Sequence, residues 1–189
     1  ISDFKQLLEG DQNPSVAAEA ALQLGMVFLD MGRLSRNQVA IVGKDSSEAQ
    51  QFFLSAVHVF VGPRSGQTAL IAIEEELQQV ETLIREFRDQ RLITSTDRRL
   101  LNQLEQSREK LRGRRVQVQL LAGEACSEVA ECFEQHSKEW GRSLEDALQR
   151  YHAVYLSTPT RSAGLWARLE EGKTLLALGR KKEGQEVLL

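Results

Sequence analysis

Apolar residues recur along this chain at intervals of three and four, in segments separated by proline and glycine. That interval is the signature of an amphipathic helix. Pro14, Pro63 and Pro159 all fall between periodic segments, and glycines at 32, 62, 66, 141, 164 and 179 punctuate in the same way. Proline costs about 3 kcal/mol inside a helix, so it marks a break. The pattern predicts helices at about 15–31, 34–43, 46–61, 67–92, 95–138, 143–156, 162–178 and 181–189, with residues 1–13 as the remnant of a preceding helix. The expected class is all-α, in about four helix pairs.

The fourth and fifth segments are long. Leu70, Ile73, Leu77, Val80, Ile84 and Phe87 step 3-4-3-4-3, and Leu101, Leu104, Leu111 and Val118 continue a similar seam. This spacing is that of a coiled coil. Thr94 and Asp97 between them fit a capping box, which starts the fifth helix after a short turn. One antiparallel register pairs Leu70 with Val118, Leu77 with Leu111, Ile84 with Leu104 and Phe87 with Leu101, each pair of numbers adding to 188. Residues 67–121 are therefore expected to form a projecting coiled-coil hairpin, about 35–40 Å long at the helical rise. The same register sets Glu74, Glu75 and Glu76 opposite residues 112–114, where Arg112 and Arg114 stand next to Arg115.

The shorter segments carry a second pattern. Leu24-Gly25, Phe28, Met31-Gly32 and Arg33 resemble the first helix of a tetratricopeptide repeat, in which a small residue admits the paired helix and a later glycine ends the first one. Gly172, Leu175, Leu178 and Gly179 repeat the spacing, with Glu171 where that family has leucine. Ala147, Tyr151, Val154 and Pro159 match the second helix. Residues 46–62 match loosely and 126–141 poorly. The resemblance implies a right-handed helix-turn-helix array, with a repeat at 14–45, a helix at 46–66, the long hairpin at 67–121 and further repeats at 122–189. The competing reading is an irregular helical bundle with fortuitous glycine spacing. The chain starts at Ile1 and runs off inside a periodic stretch at 186–189, as a piece of a longer array would.

Composition narrows the function. With 41% apolar residues and three prolines the chain has enough material for a packed core. Two cysteines make no disulfide scaffold, and the apolar runs, such as Val57 to Val61, are too short to cross a membrane. A net charge of -3 argues against a chain-wide nucleic-acid surface. A basic cluster, Arg85, Arg88, Arg91, Arg98 and Arg99, is left at the expected hairpin tip, opposed by Glu86, Asp89 and Asp97. No aromatic residues interleave there to stack bases, so no nucleic-acid partner is expected.

Catalytic chemistry finds no foothold. The stretch from Val57 to Thr68 imitates a phosphate-binding loop, yet its glycines are one residue too close and Gln67 replaces the required lysine. His58, His136 and His152 form no metal-binding motif, and Cys126, Cys132 and His136 are too scattered for zinc. No serine or cysteine lies in a nucleophile elbow. No catalytic, cofactor-binding or metal residue is assigned, and no cofactor or compartment is inferred.

The expected function is therefore that of a non-catalytic scaffold binding a protein or peptide. The family resemblance implies that the first helix of each repeat faces the concave side. It places groove residues at Glu19, Leu22, Met26, Leu29 and Asp30 near the front, and at Trp166, Leu169, Lys173 and Leu176 near the back. The alternative is assembly or docking through the hairpin, including self-association, with Leu83, Leu92, Ile93 and Leu100 as contacts.

Overall fold

The computed structural model describes residues 14–42, 46–62, 68–89 and 94–189. Among them lie seven helices and no strand: α1 (Pro14–Val42), α2 (Ser47–Val61), α3 (Ala69–Asp89), α4 (Ser95–Glu131), α5 (Lys138–Ser157), α6 (Ser162–Ala177) and α7 (Lys181–Leu188). The protein is all-α, as its periodicity predicts. The expected segment 1–13, Pro63 and the glycine-bounded loop around residues 63–67 lie outside the described residues.

The first correction concerns Gly32, which does not end a helix. α1 runs unbroken for 29 residues through it. A Cβ on Gly32 would sit 2.5 Å from the Phe53 ring, and one on Gly25 would sit 2.3 Å from the Phe60 ring. Gly25 and Gly32 are two helical turns apart, as are Phe60 and Phe53 in the opposite direction. The two glycines are thus seats for two fully buried phenyl rings of an antiparallel neighbour. A glycine inside a helix costs about 1 kcal/mol. Burying a phenylalanine is worth more, since truncating one costs about 3–5 kcal/mol. Where the periodicity predicts a helix pair within 14–45, residues Pro14–Val42 form one long helix.

Four helices close a ring. α1 packs on α2, α2 on α4, α4 on α3, and α3 back on α1, while the diagonal pairs touch only lightly. One buried cluster fills the ring, uniting Leu24 and Leu29 of α1, Phe53 and Phe60 of α2, Ile73, Leu77 and Ile84 of α3, and Leu111, Val118 and Val129 of α4. The 3-4 seam of α3 is real in its burial. It is spent on a core shared with α1 and α2, however, and not on a free-standing arm.

The charges also settle differently from the expected register. Arg112 pairs with Glu81 at 2.9 Å and with Glu109 at 3.2 Å, while Arg88 pairs with Glu105 at 2.6 Å. Arg114 leaves α3 altogether and reaches Glu19 of α1 at 3.2 Å. No ion pair joins Glu74, Glu75 or Glu76 to Arg112 or Arg114 among the described residues. The cross-helix pairs Arg88–Glu105 and Arg112–Glu81 lie five residues beyond the register that sums to 188.

The C-terminal half of α4 carries the rest of the chain. α5 packs on α4, α6 on α5 and α7 on α6, so the helices form a staircase. A second buried cluster, with Val116, Cys126, Ala147, Tyr151, Val154 and Ala167, sits at the top of that staircase. Gly123 is the seat for Tyr151 here, a Cβ lying 2.7 Å from the ring. Gly172 and Gly184 receive Leu188 and Leu176 in the same way between α6 and α7.

Local signals set several helix ends. Thr94 caps α4, accepting from the Asp97 amide at 3.2 Å while the Asp97 carboxylate accepts from the Thr94 amide at 2.9 Å. That is the capping box read from the sequence. α6 ends in a Schellman motif: Gly179 has φ +79°, and the Arg180 and Gly179 amides donate to the Leu175 and Leu176 carbonyls. The break between α4 and α5 falls earlier than expected, at residues 132–137. His136 takes a left-handed φ of 68° there, and Ser137 caps α5 by accepting from the Trp140 amide. Neither glycine nor proline marks that turn.

Candidate functional site

The residues expected to line a peptide groove divide into three groups. Leu22 and Leu29 are 5% and 2% exposed and belong to the ring core. They cannot contact a ligand, which corrects the expectation for both. α1 lies between α2 and α3, and the face that a simple repeat would leave open is covered by α3. Glu19, Met26 and Asp30 do reach the surface. Glu19 is held there by Gln23 and Arg114, and Asp30 by Arg33 at 3.8 Å.

The second group, on α6, is coherent. Trp166, Leu169 and Leu176 are 41%, 43% and 40% exposed, and Lys173 stands between them, paired to Glu170 at 2.7 Å. The spacing from 166 through 169 and 173 to 176 is 3-4-3, so the four side chains follow one stripe of the helix. Trp166 is anchored edge-on to the buried Tyr151, with ring centroids 5.9 Å apart. Burial pushes the Tyr151 hydroxyl above its ordinary range, with Ser127 as its one side-chain partner at 3.5 Å. The indole therefore rests on a neutral, fixed ring. Leu165, 60% exposed, and Leu156 of α5, 64% exposed, add apolar surface that the family pattern did not point to. Their signal was available, because both are large apolar residues off the buried periodicity of their helices. The front and back sets do not share a surface: α1 makes no packing contact with α6.

The third group is the basic tip. Arg85, Arg98 and Arg99 are exposed, and no ion pair engages them among the described residues. Arg88 is bound to Glu105. Arg91, Leu92 and Ile93 lie outside the described residues. Leu83 and Leu100 are 43% and 41% exposed on the two helices that meet there.

Two ionic clusters were not foreseen. Arg33 and Arg36, one turn apart on α1, reach Glu124, Glu128 and Glu131 on α4, and Arg36 also lies over the Phe53 ring at 5.7 Å. Burial disfavours the Arg33 charge, but Glu124 and Glu128 outweigh it and raise the guanidinium above its ordinary value. This cluster explains why α1 must continue past Gly32. The other cluster is built on Glu171, whose carboxylate is buried on α6. It bonds His152 Nδ1 of α5 at 2.8 Å and Arg168 at 3.0 Å, and Arg168 covers the Tyr155 ring at 4.5 Å. The departure from leucine at 171 is thus a polar tie between two steps of the staircase.

Burial raises the thiols of Cys126 and Cys132, so neither is an activated nucleophile. No group of three His, Cys, Asp or Glu side chains suited to a metal occurs among the described residues. No helix among them is long and apolar enough to cross a membrane. Comparison with protein-family models, with curated proteins and with solved structures finds no match.

Proposed function

We propose that this chain is a non-catalytic interaction scaffold, a helix-pair array of the tetratricopeptide kind interrupted by a long helical pair, that receives a peptide or helix along α6. The observation that carries the reading is the exposed stripe of Trp166, Leu169 and Leu176 with Lys173 among them. Aromatic and aliphatic anchors of this type dominate binding energy at interfaces, and a partner helix would meet them at the same 3-4 spacing. The glycine seats under Phe53, Phe60 and Tyr151 support the helix-pair logic, because that array relies on small residues admitting a neighbour. Lys173 favours an acidic residue on the partner.

A peptide-display selection against the whole chain tests this, with a Trp166→Ser/Leu169→Ser variant as the comparator. Enriched peptides should be amphipathic and should lose at least about tenfold in affinity on the variant. Peptides that bind both proteins equally would place the recognition surface elsewhere. Lys173→Glu should shift the selected charge from acidic to basic.

A second reading, assembly through the adjoining ends of α3 and α4, is favoured by the exposure of Leu83 and Leu100 on helices whose Arg85, Arg98 and Arg99 form no ion pair among the described residues. Concentration-dependent mass in light scattering, abolished by Leu83→Asp, would support it. A constant monomer mass would remove self-association.

A further inference from the structure

A cleft of about 490 Å³ opens where α3 and α4 meet the turn between α5 and α6. Arg112, Arg115 and Arg161 all line it, against two carboxylates, Glu81 and Glu109. Those acids are already committed. Arg112 takes Glu81 at 2.9 Å and Glu109 at 3.2 Å, and Arg161 is only loosely held by Glu109 at 3.6 Å. Among the described residues Arg115 has no carboxylate partner, and its Nε is buried without a hydrogen bond. A buried donor without an acceptor is costly to leave unmet, so an acceptor entering the cleft gains from meeting it.

The cleft also receives the start of α6. Arg161 stands at the N-cap and supplies no side-chain cap to the first-turn amides that follow it. Ser162 and Ala163 of that turn face the cleft. Helix-start amides without a side-chain cap, beside the Arg115 guanidinium, favour an oxyanion with several acceptor oxygens. Ser157 and Thr158, also on the wall, donate their hydroxyls to the Val154 carbonyl and are not available. The remaining wall is apolar, with Leu77, Val116 and Ala163. The volume falls in the range of small-molecule sites, about 300–1,000 Å³, and exceeds the need of a bare ion.

We propose that this cleft binds a small organic phosphate monoester. Its phosphate lies between Arg115, Arg161 and the first turn of α6, and its apolar part lies against Leu77, Val116 and Ala163. The site shares no residue with the α6 stripe and does not rest on that reading.

The test follows the Ser162, Ala163 and Gly164 amides by NMR while phenyl phosphate, inorganic phosphate or phenol is added to the full chain. Phenyl phosphate should shift these amides and saturate, inorganic phosphate should bind several-fold more weakly, and phenol should leave them unmoved. Arg115→Gln and Arg161→Gln should each weaken phenyl phosphate by about tenfold, the scale of one charge-assisted contact. Glu109→Gln should tighten it by removing a competing acid. Arg161 is 67% exposed, so its variant remains informative if Arg115→Gln fails to fold. Absence of any shift, equal response to phenol, equal affinity for both phosphates, or unchanged binding by Arg161→Gln would each overturn the proposal.

Discussion

Replacing Gly32 by alanine separates two roles that the residue could have. If it merely sat in a helix, alanine would stabilise the protein by about 1 kcal/mol through backbone propensity. The structure puts the new Cβ 2.5, 2.6 and 2.9 Å from three carbons of the Phe53 ring. That ring is fully buried. Overpacking of this kind costs about 1–3 kcal/mol. The net expectation runs from no change to a destabilisation of about 2 kcal/mol. Gly113 is the internal control, being exposed within α4 with nothing within 4 Å of an added Cβ, so Gly113→Ala should gain about 1 kcal/mol. Urea unfolding followed by far-UV circular dichroism measures both. Combining Gly32→Ala with Phe53→Leu should cost less than the two single changes together, since the shorter side chain vacates the contact. The reasoning fails if Gly32→Ala stabilises as much as Gly113→Ala, or if the double variant is simply additive.

Four further outcomes follow from the same geometry. Gly123→Ala should destabilise by up to about 2 kcal/mol, because its Cβ would lie 2.7 Å from the Tyr151 ring and helix propensity offsets part of the clash, whereas Tyr151→Phe, losing one long hydrogen bond, should cost less than about 1 kcal/mol in the same urea assay. Gly179→Ala should cost about 1 kcal/mol by forcing alanine to φ +79°, and Gly179→Asn should cost less; thermal unfolding ranks the two. The Asp97 carboxyl is held below its ordinary value by the Thr94 hydroxyl and amide, so the capping box is fully formed above the usual carboxylate range and is lost as pH falls through the lowered value. Amide exchange at Thr94 and Asp97 should rise along that descent, and Asp97→Asn should remove the step. Glu171→Leu should cost less than the roughly 3–5 kcal/mol of breaking a buried pair, because Arg168 and His152 both reach solvent; a loss within that range in urea unfolding would show that they depend on the carboxylate.

What was legible in the residues was local. The 3-4 seam of α3, the capping box at Thr94 and Asp97, and the glycine stop at 179 each involve neighbours within a few positions, and the fold honours them. Gly32 was misread because a terminating glycine and a seating glycine have the same spacing, and the Phe53 that distinguishes them is supplied by another helix. The turn at 132–137 was missed because a histidine in left-handed geometry and a serine cap make it without glycine or proline. Leu22 and Leu29 were placed in a groove by analogy with a two-neighbour repeat, and a third neighbour, α3, buries them. The α6 set stays partly open to solvent, although α7 lies against Leu176 through Gly184. The three-arginine cleft was beyond reach, since Arg115 and Arg161 meet only through the joint packing of α4 and α5.

α4 places buried residues in both clusters, with Val57 of α2 packed against each, and at the helical rise its 37 residues span about 55 Å. Its Val118 and Ala122 complete the ring, while Val116 and Cys126, interleaved with them on adjacent faces, complete the staircase. A load applied at α7 therefore has no seam at which to be absorbed before it reaches the ring, because the beam that carries one storey is also a wall of the other. Pulled from its C-terminal end, the protein should peel α7, α6 and α5 in turn and then yield the rest in a single rupture.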